Sequence, residues 1–540
     1  MPSSAAARRW LGLGFLALGV SLIVVDTTIV NVIVPSLVSE LGVSSVQAQW
    51  IQESYPIVLA ALLLPTGRLC DIFGARRLFL TGVTLFVAAS VLASVAPNGA
   101  ALVAARFLQG VAAAMIMPSS LAIVNTAYTG VDRGRAFAVW GATIGVSAAV
   151  GPLLGGALAE LSWRWVFGIN VLLGAVIVAG VALFFPASTR LAGTVDMPGA
   201  IASVAGFGLL AFGLIEGRSY GWIASIRPVE FAGVTWHNGP SVVLIAFVVA
   251  VIALAAFVRR QRVLTRGGRV DALLDVRLFS IRSFRYGNFT LLIVALGELG
   301  IIAVLPLWLQ FTLDYSPLQS GLALVPLAVG TFVASTASMS LVARFAPVRL
   351  VRLGLILEIV ALVVLGSSAT PDTPWWPIAL ALFVLGIGNG FASAQIANVI
   401  LAGVPPSSAG QGAAVQATTA QIGSALGIAV LTTTYFTVLG MGVRDRLTGA
   451  GIAHAQDYAA SVTASAGAVI SSMRADPGTA AVAEAARAAM SQGVGTVGYV
   501  AAALLAAALL ATALIPRPGS RADTGSDRAD TTAETDLSVE

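Results

Sequence analysis

The sequence predicts an all-α integral membrane protein, and three observations carry that expectation. Hydrophobic residues make up 57% of the 540-residue chain and charged residues only 10%, with a mean hydropathy of +0.91. An ordinary soluble domain carries about 25% charged residues. Apolar runs of about 20 residues, long enough to cross a bilayer as a helix, recur from end to end. Arginines gather in alternate connections between them. Lipid offers the backbone no hydrogen-bond partner, so each run is expected to be a helix. The short alternating strands of a β-barrel are not visible in the sequence.

Fourteen spans follow. The first six cover about 11–34, 50–69, 78–97, 101–123, 136–159 and 164–186. Two more lie at about 198–216 and 240–258, and the last six at about 286–309, 317–342, 349–368, 375–400, 411–438 and 494–515. With the N-terminus in the cytoplasm, 22 of the 30 basic residues fall on the inner side, 7 outside and one, Arg106, within a span. All 30 are arginine, and the connection 259–285 alone holds eight. This asymmetry follows the positive-inside rule and puts both termini in the cytoplasm. The formal charge of +5 and the pI near 9.8 therefore report topology. They do not point to nucleic acid, because the arginines sit in short loops. Arginine without lysine and abundant alanine suggest a high-GC bacterium, hence a multi-pass protein of its cytoplasmic membrane.

The segment before the first span is too short, and that span too long, for a cleaved signal peptide. Cys70 is the single cysteine, so no internal disulfide is expected. The tail after Pro518 is polar and acidic and is expected to stay without fixed structure. Two long connections, 217–239 and 440–493, fall outside the membrane. In the second, helical spacing on either side of Asp476-Pro477-Gly478 suggests a small helical hairpin, either a lid over the outer mouth or a tolerated insertion.

Ionisable residues inside spans are expensive unless they face a cavity or a partner. Asp26 lies in the first span, Glu53 in the outer part of the second and Arg106 in the fourth. From the rise of a helix they lie roughly 13, 8 and 9 Å below the outer surface, one shared stratum. They are expected to form either a proton- or cation-handling cluster or a fixed ion pair that holds helices together. Glu298 and Glu358 are acids of later spans, with Trp308, Gln310 and Phe311 near the first of them in sequence. A carboxylate among aromatics suits a lipophilic cation, so these five are candidate cavity residues. A packing hydrogen bond is the alternative.

Between the second and third spans, Gly67, Asp71, Gly74, Arg76 and Arg77 place two helix-breaking glycines, a carboxylate and an arginine pair at the inner mouth. The fifth span carries Gly151, Pro152, Gly155 and Gly156, where glycines permit close helix approach and proline removes a backbone donor.

On these residues the chain resembles the major facilitator superfamily. More narrowly, it resembles the fourteen-span drug:proton antiporter branch, the EmrB/QacA type. The Gly67–Arg77 loop resembles the signature between helices two and three, Arg106 with Gln109-Gly110 that of helix four, and Gly151-Pro152 with Gly155-Gly156 the antiporter motif of helix five. Asp26 to Pro35, Trp163 to Asn170, Asp196 to Gly199, Pro306 to Gln310 and Ala409 to Gly423 are also similar to that branch. Ser147 stands where the helix-five motif usually has glycine, and Ile72 and Ala75 thin the charge of the loop.

The resemblance implies two six-helix bundles, at 1–186 and 286–515, that rock about a central site. Two extra helices and a basic linker would occupy 187–285, the outer loop 440–493 and the tail 516–540. It implies proton-driven export of hydrophobic, cationic compounds, with Asp26, Glu53 and Arg106 in proton coupling. Asp71 would contact the helix start near Gly410–Gln416 and gate the cytoplasmic side. Expected partners are small substrates, protons and the bilayer, with the protein a monomer. Export of one endogenous metabolite, antibiotic or lipid is the alternative. A transport-inactive sensor would not need buried charges. An enzyme is disfavoured by two outer-loop histidines and the absence of metal-ligand spacing; no cofactor, metal or nucleotide is expected. A P-loop needs a lysine, which excludes an ATP-driven pump.

Overall fold

The computed structural model describes residues 4–43, 45–159, 161–186, 188, 193–226, 229–231, 234–236, 239–267 and 272–515. The tail 516–540 and His237 lie outside them. Six long helices come first: α1 (Ser4–Leu41), α2 (Ser45–Phe73), α3 (Ala75–Ser94), α4 (Gly99–Ala127), α5 (Gly130–Ala159) and α6 (Trp163–Phe184). A hairpin of α7 (Met197–Tyr220) and α8 (Val242–Arg266) follows. The second half contains α9 (Arg282–Phe311), α10 (Pro317–Ala323), α11 (Val325–Leu341), α12 (Pro347–Ser368), α13 (Trp375–Leu401) and α14 (Ala409–Gly449). It ends with α15 (Ala455–Ala464), α16 (Ile470–Ala475) and α17 (Ala480–Ala511).

Twelve of the described helical segments are long and apolar enough to cross a membrane. The expected spans 136–159 and 349–368 fall on α5 and α12, which stand outside that twelve. The expected span 317–342 is broken at Leu324, where Pro326 opens α11 with no backbone donor of its own.

Packing repeats between the halves. In the first, α2 and α3 pack on α4, α1 on α5, and both α1 and α3 on α6. In the second, α11 and α12 pack on α13, α9 on α14, and both α9 and α12 on α17. The halves meet through α5 against α11 and α13, and through α14 against α2 and α4. The hairpin rides on this seam, with α7 on α2 and α14, while α8 packs chiefly on α7.

The connection 217–239 is shorter than expected because α7 runs on to Tyr220, and it holds two short antiparallel strands, Val229–Phe231 and Val234–Trp236. The 440–493 stretch is not a separate hairpin. α14 continues to Gly449 and α17 starts at Ala480, so both ends of the stretch extend membrane helices, with α15 and α16 between. Its apolar positions Val462, Ile470, Val482 and Met490 are buried. Arg487 fastens it to the second half by donating to the carbonyls of Thr312 (2.9 Å) and Pro371 (3.0 Å). The Asp476–Thr479 break is where expected, since Asp476 turns the chain by accepting from the Gly478 N–H.

Candidate functional site

Asp26 of α1 and Arg106 of α4 form a fully buried ion pair. The second carboxylate oxygen, Oδ1, accepts from Asn170 Nδ2 of α6 (2.9 Å) and from Gln109 Nε2 (3.2 Å). Ser90 of α3 accepts from both amides, at 2.9 Å from Gln109 and 3.2 Å from Asn170. Arg106 also donates to the Ile51 carbonyl of α2 (3.0 Å) and lies over the Tyr55 ring, 4.6 Å from its centroid. Five helices thus converge on one saturated pair. Gln109 and Asn170 were legible as parts of motifs, but nothing in the sequence marked Ser90 as a partner. The antiporter glycines pack beside this network: a Cβ on Gly151 would overlap the Thr28 side chain of α1. Gly155 is buried on the same helix. The surroundings of Pro152 and Gly156 lie outside the described side chains.

Glu53 is not part of that network, contrary to the shared-stratum expectation. Helical depth alone does not decide which face a side chain occupies. Glu53 turns toward α7, where Gln49 Nε2 donates to Glu53 Oε1 (3.4 Å), Glu216 Oε2 (2.6 Å) and Ser219 Oγ (3.1 Å). The Glu53 and Glu216 carboxyls face each other within hydrogen-bonding reach. Glu216 was missed in the sequence, although an acid near the end of an otherwise apolar span was the available signal.

A second pair of acids lies in the other half. Glu298 of α9 meets Glu358 of α12, with Asn389 of α13 beside them. Glu358 is fully buried, and neither of its oxygens has a hydrogen-bond donor. The residues expected around Glu298 are elsewhere. Trp308 is buried and donates to Ser491 of α17 (2.9 Å), which makes it a packing residue. It and its neighbours Gln310 and Phe311 sit roughly 15 Å or more along α9 from Glu298. None of these five residues lines either of two cavities found in seams between helices. One seam, of about 400 Å³, lies between α1, α5 and α11 and includes Ser21, Ser147 and Thr336. The other, of about 530 Å³, lies between α2, α7, α8 and α14 and includes Phe207, Phe257 and Thr418.

At the arginine-rich end the halves are tied together. The Asp71 carboxylate accepts from the backbone N–H of Gly410 (2.7 Å) and of Gln411 (3.1 Å), at the start of α14. These are unsatisfied donors at the positive end of a helix dipole. Gly67 is not a helix breaker; it lies inside α2, and a Cβ there would overlap Ala414. Only Gly74, at φ +88°, turns the chain, into α3. Arg76 donates to the Ala182 carbonyl of α6 (2.6 Å), within its own half, and Arg77 is exposed. Nearby, Arg133 donates to Asn398 (3.0 Å) and Arg135 to the Met339 carbonyl (3.2 Å), both across the seam.

The hairpin is anchored at this same end. Asp196 pairs with Arg260 and accepts from Gln261 (2.9 Å). Gln261 Oε1 accepts from the N–H groups of Leu273 (2.9 Å) and Leu274 (3.3 Å), and Asp275 N–H donates to Gln411 Oε1 (2.7 Å). Gln411 therefore touches both Asp71 and the linker.

Among the described residues, no group of three or more His, Cys, Asp or Glu could hold a metal ion.

The sequence matches the Major Facilitator Superfamily over residues 16–428. It is 35% identical over 438 residues to the puromycin resistance protein pur8 of Streptomyces alboniger, covering 79% of this chain and 82% of that protein. The probable actinorhodin transporter of Streptomyces coelicolor is 31% identical, over 80% of this chain and 74% of its own length. The multidrug efflux pump LfrA of Mycolicibacterium smegmatis is also 31% identical, over 92% of this chain and 94% of its own. Among solved structures, the human organic anion transporter MFSD10 (TETRAN) aligns with a TM-score of 0.59 at 14% identity, over 92% of this chain and 99% of that one. The proton:xylose symporter XylE aligns with a TM-score of 0.54 at 14% identity, over 92% and 95%. These two share the fold.

Proposed function

The chain belongs to the major facilitator superfamily, and we propose that it is a proton-driven exporter of hydrophobic, cationic compounds that works by alternating access. Export is supported by its relatives, which are named for puromycin resistance, multidrug efflux and actinorhodin transport. All fourteen long apolar stretches cross the membrane in this reading, α5 and α12 included. The arginine-rich end is cytoplasmic, as are both termini, in the inner membrane of a bacterium.

One observation carries the proton coupling. Of the acids Asp26, Glu53, Glu216, Glu298 and Glu358, only Asp26 has an arginine against it among the described residues. A carboxyl held off water with no cation beside it can take up and release a proton as access alternates. Asp26, with Arg106, Gln109 and Asn170 around it, instead holds three helices in register. Arg106 cannot practically deprotonate, so it serves Asp26 as a fixed counter-charge. Asp71 gates: with its hydrogen bonds to α14 made, the cytoplasmic side is shut. Releasing them opens that side to substrate. A proton from outside then neutralises Glu53 or the Glu298–Glu358 pair, the bound cation leaves, and deprotonation toward the cytoplasm reloads the site. Each elementary charge moved across 100 mV supplies ~2.3 kcal/mol.

The second reading is a dedicated exporter of one endogenous compound. Two of the three relatives named above carry the name of a single compound, which favours it.

Transport of a fluorescent lipophilic cation into inside-out vesicles tests the first reading. Uncoupler-sensitive uptake that Glu53→Gln abolishes supports it. Uptake that ignores the uncoupler removes proton coupling, and absence of cation uptake beside export of one native compound favours the second.

A further inference from the structure

We propose that Glu53 and Glu216 together form a two-carboxyl proton site, bridged by Gln49, which brings the inserted hairpin into the transport cycle. The proposal rests on the proton-coupled reading above and names a partner for Glu53 on a helix outside the two bundles.

Glu216 is completely buried, and its Oε1 has no hydrogen-bond partner. The facing Glu53 has the same deficit at Oε2. Gln49 supplies one amide group, donated to Oε1 of Glu53 and Oε2 of Glu216, and so covers one oxygen on each side. The remaining oxygens are acceptors without a donor. A proton on one of them creates the missing donor and removes the repulsion between two like charges in a poorly solvated place. Protons leave such a pair in steps that belong to both acids together.

Among the described residues, no neighbouring element pairs a cation with either carboxyl. On α7, Arg218 points to α14, its guanidinium 3.6 Å from the centroid of the Phe436 ring. Ser219 shares the Gln49 donor. On α4, Arg106 is spent on Asp26 and Gln109, and the next residue, Phe107, stacks on Trp50 of α2 at 6.5 Å. Trp50 stacks in turn on Phe212 of α7 at 6.3 Å.

The mechanical consequence follows from where α7 sits. Loss of the shared proton leaves two carboxylates pushing α7 away from α2. Because Arg218 of α7 reaches Phe436, that displacement pulls on α14 at the end opposite the Asp71 contact. The same α14 thus receives a charge-dependent signal at each end.

Difference infrared spectroscopy of the purified, lipid-reconstituted protein reads the carbonyl stretch of protonated carboxyls as pH is raised from mildly acidic to alkaline. One band is expected to vanish on deprotonation, to be missing in Glu53→Gln and to be missing or shifted to lower pH in Glu216→Gln. Gln49→Met keeps both acids and is expected to move the same band, which guards against a folding failure in either glutamate variant. A band lost in Glu53→Gln but unchanged in Glu216→Gln would overturn sharing. So would the absence of any band together with thermal stabilisation by sodium, since the site would then hold a metal cation. If the band behaves as expected while cation uptake ignores the uncoupler, the proton site stands and the antiport reading falls.

Discussion

Gly67 of α2 lies directly against Gly410 of α14: a Cβ on Gly410 would come within 2.5 Å of the Gly67 carbonyl oxygen. One helical turn further on, Asp71 caps the helix that Gly410 begins. Close approach of the backbones and capping by the carboxylate are the same contact seen twice, because only two glycines bring the helix start within reach of so short an acid.

Asp71→Asn and Gly67→Val should both open this contact. Hydrogen bonds to a charged group contribute about 1.5–3 kcal/mol, so losing the charge is expected to shift the open-to-closed ratio by roughly tenfold or more. Cys70, buried beside Gly410, is a native reporter. A membrane-permeant maleimide should label it slowly in the parent protein and at least several-fold faster in both variants. Equal labelling would mean that Asp71 does not hold the gate.

Asp26→Asn leaves Arg106 buried without its counter-charge. Breaking a buried pair from one side costs about 3–5 kcal/mol, so the melting temperature in detergent should fall clearly. The double variant Asp26→Leu with Arg106→Met removes both charges and should recover much of that loss. A double variant as unstable as the single one would show that the amide network, rather than the charges, holds α1, α4 and α6.

Glu358→Gln offers Glu298 an amide donor where two acids now meet. Stability is expected to hold or rise by about 1 kcal/mol, since one buried hydrogen bond is gained. Cation export should nevertheless fall tenfold or more, because the pair can no longer exchange a proton. A variant with normal export would reduce this pair to packing.

Gln261→Leu strips the acceptor from the Leu273 and Leu274 N–H groups. Each unsatisfied buried donor costs about 1–3 kcal/mol. The linker should detach from α8, and trypsin should cut at Arg266 or Arg277 several-fold faster than in the parent. An unchanged cleavage rate would show that Gln411 alone retains the linker.

Much of the architecture was legible in the chain because the bilayer imposes it. A run of about 20 apolar residues has one way to satisfy its backbone, and arginine placement orders the runs. The contact between Asp71 and α14 was likewise reachable through a resemblance whose residues sit in a continuous loop. Other features were not reachable. Glu53 and Arg106 share a depth but not a face, and Gly67 reads as a breaker in a linear string although it continues a helix and meets a neighbour. Trp308 reads as an aromatic near an acid, yet it spends its N–H on Ser491 of another helix.

The sequence by itself determined which segments enter the membrane, since that depends on composition along the chain and on a solvent that penalises every unpaired amide. Tertiary structure alone decided which acids have partners. Asp26 found an arginine, whereas Glu53 found Glu216 across 163 residues of chain. Pairing depends on how neighbouring helices are rotated about their axes, and that rotation is set by packing of small residues from distant segments.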